Sequence, residues 1–185
     1  MSRDSMFEIG AAAMASVAAA LILLKPATMA PAAPVGLALT VGWIAWRDAR
    51  DFVIPDGASA ALLALAFAAR LADEGLSWTN ALLALADGAA CAAALWAIRE
   101  IYYRLRGYDG LGLGDVKLAA GAGVLVGPFG FSIAVLAASF AGLAVVALRT
   151  VRDGGFDRSA RLPLGTLLAP AALGVWALGL APSAG

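Results

Sequence analysis

Apolar residues fall into seven runs, at about 5–24, 34–47, 57–73, 79–103, 115–127, 129–150 and 163–181. The breaks between them are short and either charged or rich in proline and glycine: Lys25 to Pro34, Arg47 to Pro55, Asp73 to Ser77, Arg99 to Gly114, Gly127-Pro128 and Arg149 to Pro163. None of the runs alternates polar with apolar positions, so each predicts a helix rather than a strand. Breaks this short make neighbouring helices antiparallel, and no internal repeat or low-complexity linker interrupts the series. The fold class read from this pattern is an all-α bundle of about seven helices.

Composition turns those helices into membrane spans. Of 185 residues, 62% are hydrophobic and 14% charged, with a mean hydropathy of +0.86, more than the surface of a soluble domain carries. Roughly 20 apolar residues cross a bilayer, which leaves room for a polytopic bundle with short loops and no sizeable soluble domain. With the N-terminus placed in the cytoplasm, Arg3, Arg47, Arg50, Arg99, Arg104, Arg106, Lys117, Arg149, Arg152, Arg158 and Arg161 fall on the cytoplasmic side, and only Lys25 and Arg70 on the other. That asymmetry obeys the positive-inside rule and supports the helix count together with the orientation. The first run follows one basic residue, Arg3, as in a signal peptide; it is read as a retained helix, because no clear small-residue cleavage site followed by a soluble domain is present.

The same composition excludes several chemistries. A formal net charge of zero argues against nucleic acid as a partner. One cysteine, Cys91, supports neither a disulfide framework nor a thiolate metal site, and the absence of histidine removes a Ser/His triad and histidine-bound zinc. Carboxylate, lysine, arginine and hydroxyl groups remain.

Two acids stand at the cytoplasmic ends of short spans: Asp48, within Trp46-Arg47-Asp48-Ala49-Arg50-Asp51-Phe52-Val53-Ile54-Pro55-Asp56, and Asp115, within Gly110-Leu111-Gly112-Leu113-Gly114-Asp115-Val116-Lys117-Leu118. From Pro34 to Asp48 and from Asp115 to Gly127 a helix covers only roughly 18–21 Å of a hydrocarbon core about 30 Å thick. A helix reaching the outer surface then leaves its aspartate below the inner one, where an ionisable group signals function. Two carboxylates brought together suit peptide hydrolysis: one keeps a proton while the other stays charged, and the pair titrates as a unit. Gly110, Gly112 and Gly114 open backbone conformations closed to other residues and clear side chains from a substrate's path. Asp115 is expected as an N-cap or first-turn acid. By spacing alone, a plain glycine turn with a capping aspartate fits equally well.

The run Gly107-Tyr108-Asp109-Gly110-Leu111-Gly112-Leu113-Gly114-Asp115-Val116-Lys117-Leu118 resembles the Gly-x-Gly-Asp signature of the type IV prepilin peptidases, including Lys-Leu after the aspartate. Asp48, followed after five residues by Ile54-Pro55-Asp56, is similar to that family's other catalytic segment. Arg161-Leu162-Pro163-Leu164-Gly165-Thr166 resembles, more weakly, the Pro-Phe-Gly-Pro-like start of its last helix. The resemblance covers the chain from about residue 35 to the end. It implies a single membrane-embedded peptidase domain, with residues 1–33 an extra helix and loop and residues 34–185 a six-helix catalytic core. It also implies an aspartic endopeptidase of the bacterial inner membrane that uses Asp48 and Asp115 as its dyad. Gly110, Gly112, Gly114, Lys117 and Pro55 are the supporting positions.

The implied substrate is a prepilin or pseudopilin, cleaved at the cytoplasmic face after a glycine ahead of its apolar helix, with the lipid bilayer as the other partner and neither metal nor organic cofactor. Larger family members carry a cytoplasmic insertion with Cys-x-x-Cys zinc ligands and N-methylate the new N-terminus. This chain has neither the cysteines nor the length, so it resembles the compact, peptidase-only branch of Flp/Tad-type pilus systems. Leu164 and Thr166 stand where the family usually has Phe and Pro.

Asp51 and Asp56 are read as solvated or capping acids, and Asp109 as an acid tuning the glycine loop. Lys117 either snorkels to headgroups or sits by the dyad. Asp87 faces a wet crevice or lies near the outer interface. Trp43, Trp46, Trp96, Tyr102 and Tyr103 read as an aromatic belt, and Cys91 as an inert packing residue. Two rival functions fit the same apolar pattern: a small ion-coupled transporter using Asp48, Asp87 and Asp115, and an inactive structural subunit of a secretion or pilus machine.

Overall fold

The computed structural model describes residues 32–153 and 163–180. Among the described residues there are five helical elements and no strand: α1 (Ala32–Asp51), α2 (Asp56–Glu74), α3 (Trp78–Arg106), α4 (Leu113–Asp153) and α5 (Leu164–Ala177). The first apolar run, 5–24, lies outside them, as do Arg158 and Arg161.

Helix boundaries follow local chemistry. α1 continues one turn beyond the expected 34–47, because Arg47 pairs with Asp51 at 3.0 Å and the Arg50 guanidinium lies 5.1 Å from the Trp46 ring centre. It stops where Phe52 adopts a φ of 53° and gives its N–H to the Asp48 carbonyl at 3.0 Å, a left-handed helix ending that is costly for an aromatic residue. Ser77 caps α3 by accepting the Asn80 N–H, and Gly107, at φ 75°, closes its far end on the Tyr103 carbonyl.

α4 is two helices in one. Gly127 leaves the helical region (φ 67°, ψ 174°) and Pro128 follows it. Asp115 and Leu164 line one cavity, while Ala138, Gly142 and Val146 line a crevice with the same Leu164. A straight helix would put Asp115 and Val146 about 46 Å apart, so the second half folds back alongside the first. The expected break at Gly127-Pro128 is thus a hairpin turn within one helical element.

This turn removes a backbone donor. In a continuous helix the Val124 carbonyl would accept the N–H of residue 128, which proline lacks. The Arg70 guanidinium from α2 takes its place, with Nη1 3.3 Å from the Val124 oxygen. Arg70 is 8% exposed and is neutralised by Glu74 at 3.0 Å and Asp87 at 2.7 Å, as a buried charge requires. The outer surface is strongly apolar: Leu82, Leu85, Trp96, Ile98 and Ile101 on α3, with Phe129, Leu136, Phe140 and Leu143 on α4, are all exposed. α3 and α4 are each long and apolar enough to cross a membrane, and an exposed apolar surface of this extent fits lipid rather than water. Small buried residues, Ala119 and Ala122 in α4 with Ala84 and Gly88 in α3, let the helix backbones approach closely inside.

Candidate active site

The glycine-rich segment between α3 and α4 forms one wall of a cavity of about 610 Å³, completed by Asp48, Phe52, Pro163 and Leu164. Arg99 of α3 braces this segment: Nε donates to the Leu111 carbonyl at 3.1 Å and Nη2 pairs with Asp109 at 2.7 Å. Tyr102 lies beneath Gly110, where a Cβ would meet its ring at 2.5 Å, and hydrogen-bonds Tyr108 at 3.0 Å. Gly110 is therefore required by the approach of an aromatic ring. Tyr102, near the end of α3, also lines the cavity; Arg99, counted only as a cytoplasmic charge, is the support of the loop.

Asp115 sits at the third position of α4. Its N–H reaches back to the Gly112 carbonyl and its Oδ2 accepts the Gly112 N–H, both at 3.2 Å. This is the side-chain half of a capping box, with glycine in place of the usual hydroxyl residue. The expectation of a first-turn acid agrees with this geometry.

Asp48, 5% exposed, comes from the other end of the chain order and does for α5 what Asp115 does for α4. The residue before α5, Pro163, makes no side-chain cap. In its place Asp48 Oδ2 accepts the Thr166 N–H at 2.7 Å and lies 3.1 Å from Thr166 Oγ1, and the Gly165 N–H also points at this carboxylate. Free N–H groups and the positive end of the helix dipole hold an anion here. Both carboxylates line the same cavity, and Asp115 lies within the field of Asp48.

Ile54 separates the two helix starts. It is buried, and a Cβ on Gly114 would come within 3.1 Å of its Cβ, while one on Gly165 would come within 2.8 Å of its Cδ1 and 3.0 Å of Asp48 Oδ2. Gly114 and Gly165 thus give Ile54 room between the acid-bearing turns. Pro55, expected as a supporting residue, does not line the cavity; it starts α2, its carbonyl accepting the N–H groups of Ala58 and Ser59. Lys117 pairs with Asp56 across α4 and α2, both side chains exposed, and does not line the cavity. Among the described residues no three Asp, Glu or Cys side chains gather in a set that could hold a metal ion.

Residues 35–147 match the type IV leader peptidase family. The chain belongs to that family. No curated protein and no solved structure matches it. In this leader peptidase family member the matched segment carries both acids and the glycine loop, while Pro163 to Thr166, which complete the Asp48 environment, lie beyond it. The role of Thr166 was missed in sequence because it stands as a departure from the family's motif; the signal available was a polar residue opening an otherwise apolar helix.

Asp87 is the acid that the fold keeps away from the others. It pairs with Arg70, and its Oδ2 lies 3.6 Å from where a Gly127 Cβ would stand, about 18 Å down the first half of α4 from Asp115. It belongs to the hairpin turn, not to a file of acids leading from the cavity.

Proposed function

We propose that this peptidase is an aspartic endopeptidase whose catalytic pair is Asp48 and Asp115, acting on the leader of prepilin-like proteins. The observation that carries this reading is that two carboxylates 67 positions apart in sequence line one cavity, each capping the start of a different helix. At short range the two share one proton. The charged member takes a proton from a water molecule as that water attacks the scissile carbonyl. The protonated member hydrogen-bonds the carbonyl oxygen and then protonates the departing amine. The glycine loop offers an approach for an extended segment with few side chains in its way.

The substrate's shape is supported by a second feature. A crevice of about 270 Å³, lined by Ala138, Ser139, Gly142, Leu143, Val146, Leu164 and Leu167, begins at the Leu164 that also walls the acid cavity. It is apolar, and the nine residues from Ala138 to Val146 span about 12 Å, two turns of a docked helix. A leader cut just ahead of an apolar helix matches this pairing of a polar cavity with an apolar crevice. In the proposed topology the chain has seven spans in a bacterial inner membrane, with the cavity facing the cytoplasm, and it acts as a peptidase without methyl transfer.

Co-expression with a prepilin, scored by a leader-dependent gel shift, tests the assignment. Wild type removes the leader, whereas Asp48→Asn and Asp115→Asn do not. Normal processing by either variant overturns the dyad.

A further inference from the structure

Thr166 is 2% exposed and its hydroxyl oxygen has two neighbours, the Ala45 carbonyl of α1 and Asp48 Oδ2, each at 3.1 Å. A hydroxyl has one proton to donate and two lone pairs to accept with, so it cannot fully serve both oxygens as a donor. With Asp48 ionised, the hydroxyl donates to Oδ2 beside the Thr166 N–H, which already does so at 2.7 Å. With a proton on Oδ2, that carboxyl donates to Oγ1, and the hydroxyl turns its own proton to the Ala45 carbonyl. Both arrangements use the same heavy-atom positions, and neither leaves a buried polar atom unpaired.

We propose that Thr166 is a positioning residue that holds Asp48 in one place through both of its protonation states by rotating a single hydroxyl. This deepens the peptidase reading and rests on it: a carboxylate that gains and loses a proton within each turnover needs a partner that can both donate and accept. A backbone N–H can only donate, so the Gly165 and Thr166 amides favour the ionised form and offer no acceptor to the proton of the neutral one. Proline at 166 would supply neither the N–H nor the hydroxyl, so this chain has a means of steadying Asp48 that the proline-bearing motif lacks. The proton involved is the one Asp48 exchanges in a turnover, taken from the attacking water or given to the leaving amine, and Thr166 neither keeps nor transfers it.

The test is steady-state cleavage of a prepilin by purified full-length enzyme in detergent micelles, comparing wild type, Thr166→Val and Thr166→Ser, each checked for folding by thermal unfolding. Thr166→Val keeps the shape and the N–H and removes the hydroxyl; its kcat is expected to fall about 10- to 100-fold, the range of a hydrogen bond to a charged group, with KM unchanged. Thr166→Ser is expected to stay within about threefold of wild type, since it keeps both lone pairs and the proton. A Thr166→Val enzyme with wild-type kcat, a change confined to KM, or a Thr166→Ser enzyme as slow as Thr166→Val would each overturn the proposal. Should Thr166→Val not fold, Thr166→Ala is read in the same way. Failure of the peptidase reading itself shows differently: wild type leaves the prepilin uncut, or Asp48→Asn cuts it.

Discussion

Asp48 has two duties in this structure, and substitutions can separate them. As a cap it accepts the Thr166 N–H at 2.7 Å in a place that is 5% exposed. Alanine removes the acceptor. Loss of a helix cap costs roughly 0.5–2 kcal/mol, and an amide left buried without a partner adds about 1 kcal/mol or more, so Asp48→Ala should lose about 2 kcal/mol. For a chain of this size each kcal/mol lowers the melting temperature by about 2–4 °C, giving a drop of about 4–8 °C.

Asparagine keeps an acceptor oxygen for the cap and loses only the charge. The lost attraction to the helix dipole is worth about 0.3–1 kcal/mol, and it is offset by removal of the repulsion between Asp48 and Asp115, which lies within its field. Asp48→Asn should therefore melt within about 2 °C of wild type while cleaving nothing. Thermal unfolding in detergent, followed by circular dichroism or by the fluorescence of the tryptophans, reads the stabilities, and prepilin cleavage reads the chemistry. Equal melting of the alanine and asparagine variants, in either direction, would refute the idea that Asp48 caps α5.

Three further outcomes follow from the packing. Gly165→Ala places a methyl group 2.8 Å from Ile54 and 3.0 Å from Asp48 Oδ2; cleavage should fall at least about tenfold, the effect of roughly 1.4 kcal/mol in a barrier, and a wild-type rate would show that the Asp48 pocket has slack. Arg70→Met strands the Glu74 and Asp87 carboxylates and the Val124 carbonyl, so it should destabilise by about 3 kcal/mol or more, with Arg70→Met/Glu74→Gln/Asp87→Leu recovering much of the loss; a thermal melt of the triple variant no better than the single one would refute this ion cluster. Ser139→Trp fills the apolar crevice and should raise KM for a full-length prepilin several-fold, while Leu136→Trp, on the exposed face of the same helix, should not; equal KM values for the two would remove the crevice from the substrate's path.

Much of the fold could be read from the alternation of apolar runs and short breaks, because in lipid a backbone must close its own hydrogen bonds. The helix ends were harder. Charged residues at 47–51 looked like a loop, yet Arg47 and Asp51 lie four apart on one helix face and extend α1 until Phe52. At the candidate site, Asp48, Asp115 and the glycines were legible because their types and order carry the family's pattern. Arg99, Tyr102, Ile54 and Thr166 were not, since each acts through a contact with a distant segment: Arg99 with Leu111 and Asp109, Tyr102 with Gly110, Ile54 with Gly114 and Gly165, Thr166 with Asp48. Periodicity gives the face of a helix but not which partner meets it. Asp87 shows the same limit, because its meaning depends on Arg70 of the preceding helix and on the turn at Gly127-Pro128 of the following one.

The Arg70 and Asp87 pair bears on biogenesis. On the proposed topology α2 enters the bilayer with the Arg70 guanidinium near its end, paired within the same helix with Glu74 at 3.0 Å; an unpaired arginine costs about 2.5–3.5 kcal/mol at mid-membrane and less toward the surface. Joined to α3 by the three residues Gly75 to Ser77, it can partition as a helical pair in which Asp87 adds a second carboxylate to the guanidinium at 2.7 Å. The later-made hairpin then finds its missing backbone donor already waiting in the lipid, so the order of synthesis along the ribosome matches the order in which the polar groups acquire partners.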